Sequence, residues 1–192
     1  MSILEVTPLL DKLRTHSLVT YRHSCNVEKL TRSLAAGLGL QEQEIEVIST
    51  AGLLHDIGKT RIRPSILHKA ASLTREEWEI MRLHPEYGIE ILSCNDRFEA
   101  ILPCVAYHHE RWDGGGYHGL SAEEIPLGAR IIALADAFEA MTSSRAYQYS
   151  KNLRRAIQEL EEGAGKQFDP RLVQLFYEIA PSVIKSNCYQ AS

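Results

Sequence analysis

The feature that most constrains this chain is that its apolar residues follow the helical period almost throughout. Val27, Leu30, Leu34, Ala35 and Leu38 recur every three or four positions, as do Ile45, Val47, Ile48, Ala51, Leu53 and Leu54. That spacing lines one side of a helix, and such a side must be buried against a partner. Gly39 marks an end for the first stretch. Thr74 and Glu77 read as a capping box that opens a helix through Trp78, Ile80 and Met81. Pro85 interrupts or restarts that helix near His84, and a further stretch runs through Ile89 and Leu92. Helical spacing also covers about Asp96–His109, Leu127–Thr142, Leu153–Glu162 and Pro170–Ile179, with Asp169 placed to cap the last of these ahead of Pro170. Trp112–Gly119 holds four glycines in eight residues and is the conspicuous non-helical block. There is no useful strand alternation, repeat or low-complexity linker. The expectation is an all-α protein, a compact helical bundle over residues 20–180. A short N-terminal arm or helix would occupy residues 1–19, and a C-terminal tail residues 181–192.

With 192 residues the chain can bury a core without disulfide staples. Its net charge of -4 offers no basic face for duplex DNA or RNA. No apolar run approaches the roughly 18–20 residues that span a bilayer. Cys25, Cys94, Cys104 and Cys188 are far apart and follow no secretory leader, so reduced thiols in a cytoplasmic protein are expected. An anionic substrate would need a local source of positive charge, and a metal site is the obvious one.

Histidines and aspartates fall where such a site could form. His55-Asp56 follows the apolar run Ala51-Gly52-Leu53-Leu54, and a carboxylate there is expensive to bury without a cation. By itself His-Asp is an unremarkable pair at a helix end. Asp136 sits in a helix that is apolar nearly all round, where it demands a metal, an arginine or a backbone cap. His108-His109 ends another helix and could reach one ion, or could be a surface pair. His23 and His84 are lone helical histidines, each more often structural than ligating when taken alone. Imidazole and carboxylate donors together suit Fe, Mn, Zn or Co.

Ordered blocks then carry a resemblance from about residue 20 to residue 180. They are Tyr21-Arg22-His23-Ser24, Leu53 through Lys59, Leu73 through Glu77, His84-Pro85-Glu86-Tyr87-Gly88, His108 through Tyr117, Ile125 through Ile131, Ala135-Asp136-Ala137-Phe138 and Phe168-Asp169-Pro170. The chain resembles the HD-GYP family, the cyclic di-GMP phosphodiesterase branch of the HD phosphohydrolases. The resemblance implies a helical bundle around a binuclear metal centre that hydrolyses cyclic di-GMP to pGpG and on to GMP. It implies that His23, His55, Asp56 and Asp136 hold one ion. Asp56 would bridge to a second, held also by His84, His108 and His109. Two divalent ions, Fe or Mn, are the expected cofactors. Asp56 and Lys59 would be catalytic, and Lys59, Arg145, Tyr117 and Arg111 would contact the dinucleotide.

Three departures bear on those expectations. The family's Gly-Tyr-Pro is here Gly116-Tyr117-His118, which is expected to loosen the loop and to alter its contacts with protein partners. Val19 stands where some members place a third-metal glutamate, so two ions are expected. Gln148 replaces a basic residue, which weakens the grip on one phosphate. Some 20 residues ahead of His23 leave no room for the family's usual sensory domain, so a separate regulator or a diguanylate cyclase could dock through the Gly116-Tyr117-His118 loop. Two other functions compete with cyclic di-GMP hydrolysis: an HD phosphohydrolase for another nucleotide or cyclic dinucleotide, and a non-catalytic sensor or interaction module.

Overall fold

The structure is a computed structural model that describes residues 3–143 and 149–186. Ten α-helices, joined in places by 3-10 turns, make up the described fold, and no β-strand occurs among the described residues. They are α1 (Ile3–His16), α2 (Leu18–Gly37), α3 (Glu42–Leu54), α4 (Pro64–Leu67), α5 (Arg75–Arg82), α6 (His84–Leu92), α7 (Leu102–Ala106), α8 (Leu127–Thr142), α9 (Tyr149–Gly163) and α10 (Pro170–Ser186). The longest, α2, is central and packs against α1, α3, α8 and α10. Its apolar side contributes Val27, Leu30, Leu34 and Ala35 to a core shared with Leu54, Ile131, Leu134, Phe138 and Phe176. The rings of Phe138 and Phe176 lie 4.6 Å apart where α8 meets α10.

Local chemistry sets the helix ends. Ser17 caps α2 by accepting a hydrogen bond from the Thr20 amide at 3.2 Å. Beyond α2 the chain turns at Gly39, whose φ of +74° suits glycine. There the Gly39 amide bonds to the Ala36 carbonyl at 2.9 Å and the Leu40 amide to that of Ala35 at 3.3 Å, the paired closure of a Schellman motif. Thr74 and Glu77 exchange hydrogen bonds of 3.2 and 2.8 Å at the start of α5, the reciprocal capping that their spacing predicts. Pro85 lies in the first turn of α6, where a missing amide costs nothing.

The stretch Asp96–His109, expected as one helix, is instead a 3-10 turn (Asp96–Ile101) followed by the short α7. Pro103 is the reason: it lacks an N–H and its ring would strike the carbonyl one turn back, so it opens a new helix rather than continuing the old one. Of the residues ahead of 20, Ile3–His16 form α1, with Val6 and Leu13 in the common core. At the other end α10 runs to Ser186, past the expected start of the tail at residue 181. No helix among the described residues is long and apolar enough to cross a membrane. Cys25, Cys94 and Cys104 are free, and Cys188 lies outside the described residues.

Candidate metal centre

Five parts of the chain deliver side chains to one buried place. His23 comes from the middle of α2, and His55-Asp56 from the end of α3. His84 opens α6, His108-His109 follow α7, and Asp136 comes from α8. His55, Asp56, His84 and His108 are buried, while His23, His109 and Asp136 are partly so. Three of the rings are aimed by their own backbone. The Nδ1–H of His55 donates to the Gly52 carbonyl at 2.7 Å, that of His84 to Met81 at 2.8 Å, and that of His108 to Val105 at 2.7 Å. A carbonyl only accepts, so each bond fixes the proton on Nδ1 and leaves Nε2 as a lone-pair donor pointing inward.

Those lone pairs converge. His84 Nε2 lies 3.1 Å from His108 Nε2 and 3.1 Å from His109 Nε2. Two deprotonated nitrogens that face each other at this range repel unless a cation sits between them. His23, His55 and Asp56 form a second group whose ligand atoms lie within 4.8 Å of one another, and Asp136 Oδ1 reaches His23 Nε2 at 2.9 Å. Asp56 divides its oxygens between the groups: Oδ1 is 3.3 Å from His84 Nε2, and Oδ2 is 3.5 Å from His55 Nε2 and 3.9 Å from His23 Nε2. His55 Nε2 and Asp56 Oδ1 are buried without a hydrogen-bond partner among the described residues, a costly condition that a metal ligand would relieve. The residues present therefore fit a pair of divalent ions, with Asp56 between them.

Lys59 Nζ lies 2.5 Å from Asp56 Oδ2, on the 3-10 turn Ile57–Arg61 that follows His55-Asp56. Burial draws its pKa down, and the Asp56 charge more than offsets this, so Lys59 remains an ammonium. Burial works against ionised Asp56, yet Lys59 and the surrounding imidazoles hold its carboxyl well below the usual carboxylate range. Burial pushes His84, His108 and His109 down to about 3. It also pulls on His23, but hydrogen bonds to Asp136 and Glu139 reverse the direction and raise that ring to about 10.

These shifts predict how the metal-free protein responds to pH. Unfolded histidines titrate near 6.5. Below that pH the unfolded chain takes up protons that folded His84, His108 and His109 refuse until about pH 3, so stability falls on acidification. Above it the unfolded chain releases a proton that folded His23 keeps to about pH 10, so the His23 contribution fades as pH rises. The urea midpoint of chelator-stripped protein should therefore peak near pH 7, with buried His84 and His108 each costing up to about 2 kcal/mol at pH 5. A midpoint that climbs steadily from pH 6.5 to pH 5 would contradict this.

Sequence reasoning missed two supporting carboxylates. Glu139, buried one turn after Asp136 on α8, accepts from His23 Nδ1 and is itself held by Asn26 Nδ2 at 2.9 Å. It orients His23 as the backbone carbonyls orient the other rings. Glu139, like Asp136, is an acid in an apolar helix and demands a partner for the same reason. Glu110, also buried, accepts the amides of His118 at 2.7 Å and Leu120 at 2.8 Å. Its signal is weaker: an acid beside a glycine-rich run that has many amides to satisfy.

Glu110 also changes the reading of the loop. A proline at position 118 could not donate to Glu110, whereas His118 does, so the loop gains a tether in place of the stiffness it lacks. A Cβ on Gly116 would sit 2.5 Å from the Glu110 Cα, so only glycine allows this approach. The His118 ring packs edge-on to Tyr107 with centroids 5.4 Å apart. Tyr117 is brought to the metal centre, its ring 4.8 Å from that of His109. Arg111 turns away into a two-pronged pair with Asp113 at 3.0 and 2.7 Å. Arg145 and Gln148 lie outside the described residues.

Comparison with known proteins agrees with this architecture. A family model described as HD domain matches residues 8–172. The chain is 38% identical over 184 residues to a cyclic di-GMP phosphodiesterase of Thermotoga maritima, covering 94% of this chain and 50% of that protein. It is 39% identical over 173 residues to a 3'3'-cGAMP-specific phosphodiesterase 2 of Vibrio cholerae, covering 88% of this chain and 33% of that protein. The fold matches the L. monocytogenes PgpH HD domain, solved in complex with cyclic-di-AMP, with a TM-score of 0.70 at 20% identity, covering 96% of this chain and 99% of that one. The chain belongs to the HD-domain family, in its HD-GYP branch. It spans half or less of the length of these two curated relatives.

Proposed function

We propose that this chain is a metal-dependent phosphodiesterase that hydrolyses cyclic dinucleotides, with cyclic di-GMP as substrate and pGpG, then GMP, as products. The observation that carries this reading is the placement of Asp56 between two histidine groups, one oxygen toward each. Two divalent ions there, Fe or Mn, would supply an acidified water and neutralise charge on the phosphoryl oxygens. His23, His55, Asp56 and Asp136 would hold the first ion, and Asp56, His84, His108 and His109 the second. Val19 is apolar and 76% exposed, so it adds no ligand, and the site is a two-metal one.

The chain's own groups do the rest. With the charge of Asp56 otherwise balanced, the Lys59 ammonium would be free to turn to a phosphate oxygen as a point charge. Water adds to phosphorus, the bond from phosphorus to the 3′ oxygen breaks, and that oxygen takes a proton as it leaves. Arg145 and Tyr117 contact the dinucleotide beyond the scissile phosphate, and Arg111 serves there only if it leaves Asp113. A cytoplasmic setting follows from the substrate, and the Gly116-Tyr117-His118 loop is the surface for a separate regulator or diguanylate cyclase. Hydrolysis of 3'3'-cGAMP is a second reading, favoured by the likeness to the V. cholerae enzyme of that name.

The test is to purify the protein without oxygen, quantify bound metal, and follow cyclic di-GMP and 3'3'-cGAMP by chromatography. About two metal equivalents with conversion to the linear dinucleotide are expected. A protein that binds cyclic di-GMP, holds no metal and leaves it uncut would instead be a sensor.

A further inference from the structure

Arg82 ends α5 at the rim of the metal centre, and its guanidinium rests over the Tyr117 ring, 4.3 Å from the centroid. That ring in turn lies against His109. A positive charge is thus held two rings out from the ligand nitrogens. Other arginines are engaged: Arg61 with Glu90, Arg111 with Asp113 and Arg130 with Asp169. Arg82 makes no ion pair among the described residues, and Glu86, one turn further on, faces His118 at 3.8 Å instead. In a chain of net charge -4, an exposed, uncommitted guanidinium beside a phosphate-handling centre is a feature that calls for a ligand.

The chemistry narrows the ligand. A guanidinium seated on an aromatic face loses rotational freedom yet keeps its in-plane N–H donors available. Those donors match a pair of acceptors set in a fork, which is what two phosphate oxygens or the O6 and N7 of a guanine present. A cyclic dinucleotide with one phosphate on the metal centre has such acceptors left over: its second phosphate and its bases. We propose that Arg82, seated on Tyr117, contacts the outlying acceptor pair of the substrate, its second phosphate or a guanine edge, and so helps hold the cyclic dinucleotide on the metal centre. This rests on the phosphodiesterase reading above.

The test compares wild-type holoenzyme with Arg82→Ala and Arg82→Lys on three substrates. These are cyclic di-GMP, cyclic di-AMP and bis(p-nitrophenyl) phosphate, the last a diester with one phosphate and no purine. Arg82→Ala should raise KM for cyclic di-GMP by about tenfold or more with kcat within about threefold, and the rise for the small diester should be at least about fivefold smaller. Lysine should recover only part of the loss, because it lacks the fork. Equal losses on both cyclic dinucleotides identify the second phosphate as the acceptor; a loss confined to cyclic di-GMP identifies the guanine edge. A KM for cyclic di-GMP within about twofold of wild type, a parallel rise on all three substrates, or full rescue by lysine overturns the assignment. Failure of the wild-type protein to cleave any of cyclic di-GMP, cyclic di-AMP and 3'3'-cGAMP would instead overturn the phosphodiesterase reading, whatever the variants do.

Discussion

Asp56→Ala should lower cyclic dinucleotide turnover on the order of a thousandfold or more and deplete both metals together. The expectation comes from how the carboxylate is shared. Removing His84 or His23 takes a donor from one group, but Asp56 has an oxygen facing each. Its loss also leaves Lys59 without the partner that keeps it near the centre. Lys59 can swing to solvent, since its side chain is 23% exposed, so the variant should fold. Metal analysis on the same folded sample that is assayed separates loss of ions from loss of structure. Full activity in this variant would remove Asp56 from the bridging role.

Gly58→Ala should be the most damaging glycine-to-alanine change in the molecule. A Cβ at Gly58 would lie 1.9 Å from the His84 carbonyl oxygen and 2.6 Å from the Gly88 nitrogen, both backbone atoms that no rotamer change can move aside. The turn after Asp56 would have to part from α6, which carries His84. A cost of about 3 kcal/mol in stability is expected, together with loss of metal from the group that contains His84. Urea denaturation and metal content check the two effects separately. Gly119→Ala is the control: its φ is +81° but nothing crowds it, so about 1 kcal/mol is expected.

Much of this was legible in the sequence because the relevant signals are local. The apolar period defines helices α2, α3, α8 and α10, and a buried acid or imidazole on such a face announces a partner. The break at Pro103 was legible in principle, since proline chemistry alone requires it. What could not be read is anything set by which way a side chain leaves a loop. Arg111 and Arg82 are both arginines beside candidate ligands, and only the path of the loop decides that Arg111 pairs with Asp113 while Arg82 lies over Tyr117. The role of Gly58 is equally hidden, because the atoms that exclude a side chain belong to α6, 26 and 30 residues on. The His118 amide is a third case: its hydrogen bond to Glu110 depends on the loop folding back over eight residues.

The carbonyl tethers on His55, His84 and His108 bear on how quickly the protein is charged with metal. Each ring is locked by the backbone three residues before it, so no rotamer search precedes capture. The inner nitrogens of His84 and His108 carry no proton near neutrality, so none has to be expelled from them. His23 differs, since it must give up a proton that Asp136 and Glu139 help it retain. The two halves of the centre should therefore fill in order: the histidine-rich half as fast as an ion sheds its water, and the His23 half later and faster in alkali.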